Sequence, residues 1–424
     1  MKPTSLLRNG PLRALMAAEI ISTTGSQMTW LALPWFVLTT SGSATRMSFV
    51  VAAEVIGMGL MTLPGSRLLS RFGARRAMLL CDGVRAPLIV LIPILHWAGA
   101  LSFPLLLAIS FGVGAMTAPY FASQKVILPE LLGEDEQIVT QASALTQAAT
   151  RVTLLLGPVL AGVLIAVIGA PSVLVVDGAT YLVSFLLVAA FLPRRPPVPA
   201  PEEGRGIRTA VRFIFRDRLL RIWNPALAIG DMAWTAFFIA VPVLVVARFG
   251  ADARIAGWLF ASFGVGAIVG NAISYRVARR VDGMTLIATC IMGQALPLWL
   301  LSFRLPAVGL SAALVLSGLA NGIVNPPIHA AMTLRIPPAL RATVMPTMML
   351  SWTILQPVGL FTAGPVLDAF GAEPVLIAFA AIQTLMMGAV GLACLRVRPR
   401  ASAIALRADS PGPQAPSSPP GGGR

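Results

Sequence analysis

Charge is what this sequence has least of. Only 12% of its 424 residues are Asp, Glu, Lys or Arg, against roughly 25% in an ordinary soluble domain. A water-facing surface cannot be built from so few charges, so much of the exposed surface must face lipid. Histidine is nearly absent: His96 and His329 are the only two, which argues against an imidazole-based zinc site. The three cysteines, Cys81, Cys290 and Cys394, stand apart in apolar segments. They offer neither a CxxC metal spacing nor a disulfide framework. No Walker A stretch and no soluble ATPase domain is present, so nucleotide hydrolysis is not a source of energy here. The formal charge is +15, yet no basic, aromatic-studded soluble module accompanies it, which excludes a nucleic-acid partner.

What fills the chain instead is apolar sequence. Hydrophobic residues make up 56% and the mean hydropathy is +0.81. Twelve apolar windows of spanning length can be counted, at about 14–39, 47–66, 77–98, 101–122, 140–168, 172–192, 223–247, 255–274, 284–303, 306–330, 345–367 and 374–395. The basic N-terminus resembles a signal peptide, but its apolar stretch continues through a full span and many more follow, so it reads as the first helix. An even number of spans puts both termini on one side. Of the 32 Lys and Arg residues, 26 fall in the loops and tails of that side and only Arg46, Arg248, Arg254 and Arg304 in the opposite loops. The positive-inside rule then predicts cytoplasmic termini.

The chain also divides and repeats. Residues 193–206, PRRPPVPAPEEGRG, read as a linker. Over 207–222, Ile207, Val211, Ile214, Phe215, Leu219 and Ile222 recur at helical spacing among five arginines, which predicts a basic amphipathic helix on the cytoplasmic leaflet. A charge-rich helix of this kind could instead bind a partner. The tail from 397 to 424 is low in complexity and predicted to be disordered. AGVLIAVIGAPSVL at 161–174 matches AGPVLDAFGAEPVL at 363–376, and Gly114, Pro119 and Pro129 match Gly322, Pro327 and Pro337. Both offsets equal six spans. The expectation is an all-α membrane protein of twelve transmembrane helices in two six-helix pseudo-repeat halves, 1–192 and 223–396, joined by the linker 193–222.

Two short motifs and one longer stretch carry a family resemblance. SRLLSRFGARRAMLLCDGVRA at 66–86 is similar to the G-x-x-x-D-R-x-G-R-R/K signature of the major facilitator superfamily, with Arg71, Gly73 and Arg75 in register. Ser66 and Ser70 replace its Gly and Asp. In the family that Asp holds the transporter outward-open; here Asp82 and Arg85 could supply a local pair at i, i+3, or the arginines could be purely topogenic. LLLGPVLAG at 154–162 looks like the antiporter signature, with Gly157, Pro158 and Gly162 in place and Ala161 departing from it. These residues suit a pivot or simply close helix packing. The stretch 121–158 resembles the bacterial exporters that include enterobactin and macrolide efflux proteins. The resemblance implies the major facilitator fold in a bacterial inner membrane and a monomer that needs no cofactor. It also implies proton-coupled efflux of a small amphipathic molecule by alternating access.

Ionisable groups inside a membrane point the same way without reference to any family, because they are costly and usually face the bundle interior. Glu19, Glu54, Arg151 and Asp231 lie within apolar windows. Ser22, Thr23 and Ser26 share the face of Glu19, while Asn321, Asn325 and His329 are spaced by four in the tenth window. The carboxylates are candidates for proton or substrate coupling, or for structural pairing with Arg151. The polar residues are candidates for lining a cavity. Gly264, Gly266 and Gly270 read as helix packing. Two other functions stay open on sequence alone: import or facilitated passage of a small solute, and a non-transporting receptor or scaffold role on a transporter fold.

Overall fold

The computed structural model describes residues 10–132, 136–194, 206–277 and 280–397. Their secondary structure is helical throughout. The first group is α1 (Gly10–Ser41), α2 (Ala44–Phe72), α3 (Ala74–Trp97), α4 (Phe103–Leu132), α5 (Glu136–Ile168) and α6 (Ala170–Phe191). A short α7 (Ile207–Arg216) precedes the second group: α8 (Leu220–Arg248), α9 (Ala253–Val277), α10 (Gly283–Ser302), α11 (Ala307–Arg335), α12 (Pro338–Phe370) and α13 (Ala372–Val397). Eleven helices, all but α1 and α7, are long and apolar enough to cross a membrane. The expected count was twelve. The difference is α1, whose 32 residues are ample in length but whose run of Glu19, Ser22, Thr23, Thr24, Ser26, Gln27 and Thr29 lowers its hydropathy.

Local chemistry sets the breaks. Gly73, between α2 and α3, has φ of +78° and donates its N–H to Leu69 O at 2.8 Å, a conformation open to glycine. The helix expected across 207–222 is interrupted at Asp217, whose carboxylate accepts from Leu219 N and Leu220 N at 2.8 and 2.9 Å and so starts α8 instead. In α10 the α-helix gives way to a 3₁₀ stretch at Leu296–Ser302, where Pro297 supplies no N–H.

The two groups pack by the same scheme. Helix α1 lies on α5 and α6, and α2 on α4; likewise α8 lies on α12 and α13, and α9 on α11. Small residues make the closest approaches. Gly266 and Gly270 of α9 face the backbone of Val315 and Leu319, while Gly318 and Gly322 of α11 face that of Phe263 and Ala267. A side chain at any of the four would collide with main chain, so the pair is held by direct backbone packing.

Between the groups, α5 meets α9 and α2 meets α12. These contacts are equivalent under the internal repeat. A side chain at Gly162 would strike the backbone of Ala253 and Arg254, and one at the matching Gly364 would strike Thr45 and Ser48. Both contacts lie near the turns at 42–43, 169, 249–252 and 371, here called the far end; the opposite, terminal end carries the start of α1 and helix α7. One apolar core, running from Met28 to Val55 and on through Ala161, Phe237–Val245, Ala256 and Leu360–Ala380, is shared by both groups at the far end. At the terminal end each group has a core of its own, one around Leu12, Met78 and Tyr120 and the other around Ile214, Trp223 and Ile328.

Candidate functional site

Inside the first group, α1, α3, α4 and α6 bury a polar cluster. Asp82 and Arg85, one turn apart on α3, form an ion pair at 2.5 Å, both essentially without solvent exposure. The Arg85 guanidinium lies over the rings of Tyr120 and Tyr181, with centroids at 4.2 and 4.4 Å. This double cation–π contact offsets part of its desolvation. Ser184 donates to the second oxygen of Asp82 at 2.7 Å and lies 3.2 Å from the Tyr120 hydroxyl. A second buried carboxylate, Asp177 on α6, accepts from Thr29 at 2.5 Å and from Thr180 at 3.1 Å. Ser26 meets the Tyr181 hydroxyl at 3.0 Å, and Ser22 hydrogen-bonds Tyr120.

The polar face of α1 is thereby accounted for. Ser22, Ser26 and Thr29, at helical spacing, turn into the first group and bond the ring hydroxyls and the carboxylate around Arg85. Glu54 on α2 is half-buried and within electrostatic reach of Asp177 and Arg85. The set therefore holds three carboxylates against one guanidinium. Nε of Arg85 has no hydrogen-bond partner among the described residues, so the cation keeps donor capacity beyond Asp82.

Other expected residues are placed apart from this cluster. Glu19 is buried one turn nearer the terminal end and has no hydrogen bond or ion pair among the described residues. Arg151 sits on α5, but its side chain lies outside the described part of the structure. Asp231 belongs to the second group, where Gln356 of α12 donates to it at 2.5 Å. About two turns earlier on α8, Asn224 accepts from Trp352 at 2.9 Å and donates to Ser351 at 3.1 Å. Asn321 and Asn325 are half-buried and His329 is exposed on α11. A recess of about 910 Å³ lies between α9, α10 and α11 against Asn271, Tyr275, Met284, Pro327 and Leu334, and none of Asn321, Asn325 and His329 lines it.

The two motif regions are located as follows. Arg71 is exposed, with its guanidinium 5.5 Å from the centre of the Phe72 ring. Arg75 donates to Ala189 O of α6 at 2.7 Å, and Ser70 donates to Arg67 O. Asp82 and Arg85 do pair, but two to three turns inside α3 and away from the loop. Gly157 admits Gln27 of α1, and Pro158 O and Gly162 admit Gly257 and Ala253 of α9. Pro158 and Gly162 of α5 thus lie where the two groups meet, and Gly157 packs within the first group.

Asp177, the two tyrosines and Ser184 are members of the cluster that no motif or spacing in the sequence marks. Asp177 lies in the sixth apolar window and satisfies the criterion that singled out Glu54. The tyrosines carried a weaker signal: the chain has three, and two of them flank Arg85. Asp368 is unmarked in the same way. From the last turn of α12 it accepts from Ser43 Oγ at 2.8 Å, Ala44 N at 2.6 Å and Thr45 N at 3.0 Å, clasping the start of α2 across the two groups.

Residues 15–360 match the Major Facilitator Superfamily, and the chain belongs to it. It is a multi-pass membrane protein of secondary-transporter type that moves a small molecule across the membrane. Among curated relatives, it is 25% identical over 405 residues to the multidrug efflux pump Tap of Mycobacterium tuberculosis, covering 92% of this chain and 93% of that protein. It is 26% identical to Tap of Mycolicibacterium fortuitum, covering 92% and 97%, and 27% identical to the enterobactin exporter EntS of Citrobacter koseri, covering 70% and 73%. In fold it is similar to the nucleoside transporter NupG, with a TM-score of 0.74 at 12% identity over 92% of this chain and all of that one. A bacterial homologue of the lysosomal transporter Spinster gives 0.72 at 14% identity, covering 91% and 96%. Among the described residues no group of three or more His, Cys, Asp or Glu is placed to hold a metal ion.

Proposed function

We propose that the protein exports a small amphipathic molecule in exchange for protons, by alternating access between two six-helix halves with cytoplasmic termini. In this reading α1 is the twelfth span, and its polar face is tolerated because it turns into the first half. The observation that carries the proton coupling is the imbalance of the buried cluster. Three carboxylates, Glu54, Asp82 and Asp177, share one guanidinium, and an unpaired buried charge costs several kcal/mol, on the order of the desolvation of one ion. Binding two protons balances the cluster and relieves that cost, so the cluster is a proton site wherever water reaches it in one state and not in the other.

Asp82 keeps Arg85 paired, and Glu54 and Asp177 are the groups that exchange protons, one on each. Glu54, half-buried, is the entry. Along α8 and α12 of the second half, Asp231 with Gln356 and, about two turns away, Asn224 with Trp352 offer a carboxylate and an aromatic ring, which suits a cationic or amphipathic solute. Separate cores at the terminal end and a shared core at the far end support a conformation open to the cytoplasm. The relatives named as efflux pumps and exporters support the outward direction.

The test is export of a fluorescent amphipathic cation, ethidium, from cells and from proteoliposomes carrying a pH gradient. The native chain should lower cellular accumulation, and a protonophore should abolish the difference. Glu54→Gln with Asp177→Asn should insert and fold but lose gradient-driven export. Export that persists undiminished in the double variant would overturn the assignment of the proton site.

A further inference from the structure

Helix α7 presents two different apolar rows. Ala210 and Ile214 are buried in the core of the second group. Gly206 at its start is closed against Thr343 of α12, and Asp217 at its end takes Arg335 of α11 at 3.3 Å while capping α8. The helix is therefore fixed to the parts of the second group that must move in any rocking motion. Its second row, Ile207, Val211 and Phe215, runs along the axis with relative exposures of 40, 41 and 60%. Arg208, Arg212 and Arg216 form the adjacent row, and Arg218 and Arg221 follow; all five are exposed, and none forms an ion pair among the described residues.

An apolar strip with a parallel strip of unpaired arginines, at the end of the bundle where α8 begins, matches the boundary between acyl chains and headgroups. We infer that α7 is a docking surface for anionic phospholipid. Ile207, Val211 and Phe215 dip into the acyl region, and Arg208, Arg212 and Arg216 contact headgroup phosphates. The charge complementarity favours this occupant: the one acidic residue of the segment, Asp217, is already taken by Arg335, so nothing on the helix repels an anion. Because α7 is tied to α8, α11 and α12, lipid composition then bears on the position of the second half. The inference does not depend on the proton site.

The test uses the full-length protein in nanodiscs of neutral lipid alone or with phosphatidylglycerol, with a polarity-sensitive fluorophore on Val211→Cys in a Cys290→Ser background. Phosphatidylglycerol should shield the label from aqueous iodide and expose it to quenching by lipids spin-labelled near the headgroup. Salt should weaken the effect, and free inorganic phosphate should not reproduce it. Arg208→Gln with Arg212→Gln and Arg216→Gln should reduce the preference for anionic lipid on the order of a hundredfold, at about 1 kcal/mol per arginine near a charged leaflet. Phe215→Ser should weaken membrane contact in both compositions. A label equally open to iodide with and without phosphatidylglycerol would overturn the inference. So would shielding that ignores the arginines, or shielding that appears only on adding cytosolic extract, which would assign the face to a soluble partner.

Discussion

Asp368 offers the most direct handle on how the halves close. The first N–H groups of a helix have no partner within it, and at the start of α2 two of them, from Ala44 and Thr45, are given to Asp368 of the other half. Ser43 adds a hydroxyl. The carboxylate also places negative charge at a helix N-terminus. A cap of this kind contributes about 1 kcal/mol, and the charge adds about 0.3–1 kcal/mol before discounting for solvent. Asp368 is exposed, so about 1–2 kcal/mol is the reasonable total. The contact exists only while the far end is closed, and water replaces it when the halves part. Asp368→Ala should therefore shift the ratio of far-closed to far-open molecules by roughly 5–30-fold. Asp368→Asn, which keeps one acceptor, should shift it less. Spin labels at Arg46→Cys and Phe370→Cys, read by double electron–electron resonance, should show a longer-distance population growing in the order native, Asn, Ala, at an unchanged melting temperature. Identical distance distributions in all three would refute the clasp.

Four further outcomes follow from other contacts. Asp82→Ala removes the direct ion-pair partner of buried Arg85 and leaves it only the more distant Glu54 and Asp177; it should cost less than the about 3–5 kcal/mol of a fully uncompensated buried charge, read as a lower melting temperature that Arg85→Met partly restores. Gly162→Leu should hold α5 away from α9 and enrich far-open molecules in the same resonance measurement, without loss of folded protein. Gly318→Leu forces α9 and α11 apart and should destabilise by about 1–3 kcal/mol, seen as reduced thermal stability in detergent. A cysteine in the 198–204 linker should react with an impermeant maleimide in inverted vesicles and stay unlabelled in intact cells; labelling of intact cells would reverse the proposed orientation.

Helix content, internal repeat and the packing role of Gly266 and Gly270 were legible because each rests on one-dimensional pattern: hydropathy, an offset of six spans, and small residues at helical spacing. The turn glycine Gly73 was legible as part of a motif. What pattern could not supply was which face of α1 meets which helix. Glu19 and the serines look equivalent on a helical wheel, but the serines bond the tyrosines around Arg85 and Glu19 stands apart. Nor could spacing show that Asp82 and Arg85 lie deep among α1, α4 and α6 and not at the loop, since their depth depends on where α3 starts. The partners that complete the cluster, Asp177 and Ser184, lie about a hundred residues away on α6, and Asp368 reaches α2 across more than three hundred. Such pairings are set by tertiary packing. The apolar spacing over 207–222 is carried by two helices, α7 and the first turn of α8, because Asp217 caps α8 in the middle of an unbroken apolar periodicity.

The central claim is that the buried cluster couples proton binding to alternation, and it can be tested without knowing the transported molecule. Resonance distances measured at both ends, with the far-end pair above and a terminal-end pair at Arg76→Cys and Arg276→Cys, should be followed across pH. In the far-closed state Asp82 and Asp177 are sealed from solvent, so the proton-bound, charge-balanced form belongs to that state. Acidification should then shorten the far-end distance and lengthen the terminal-end distance in parallel, and Glu54→Gln with Asp177→Asn should abolish the response. Distances that ignore pH in the native chain, or a pH response that survives intact in the double variant, would contradict the account.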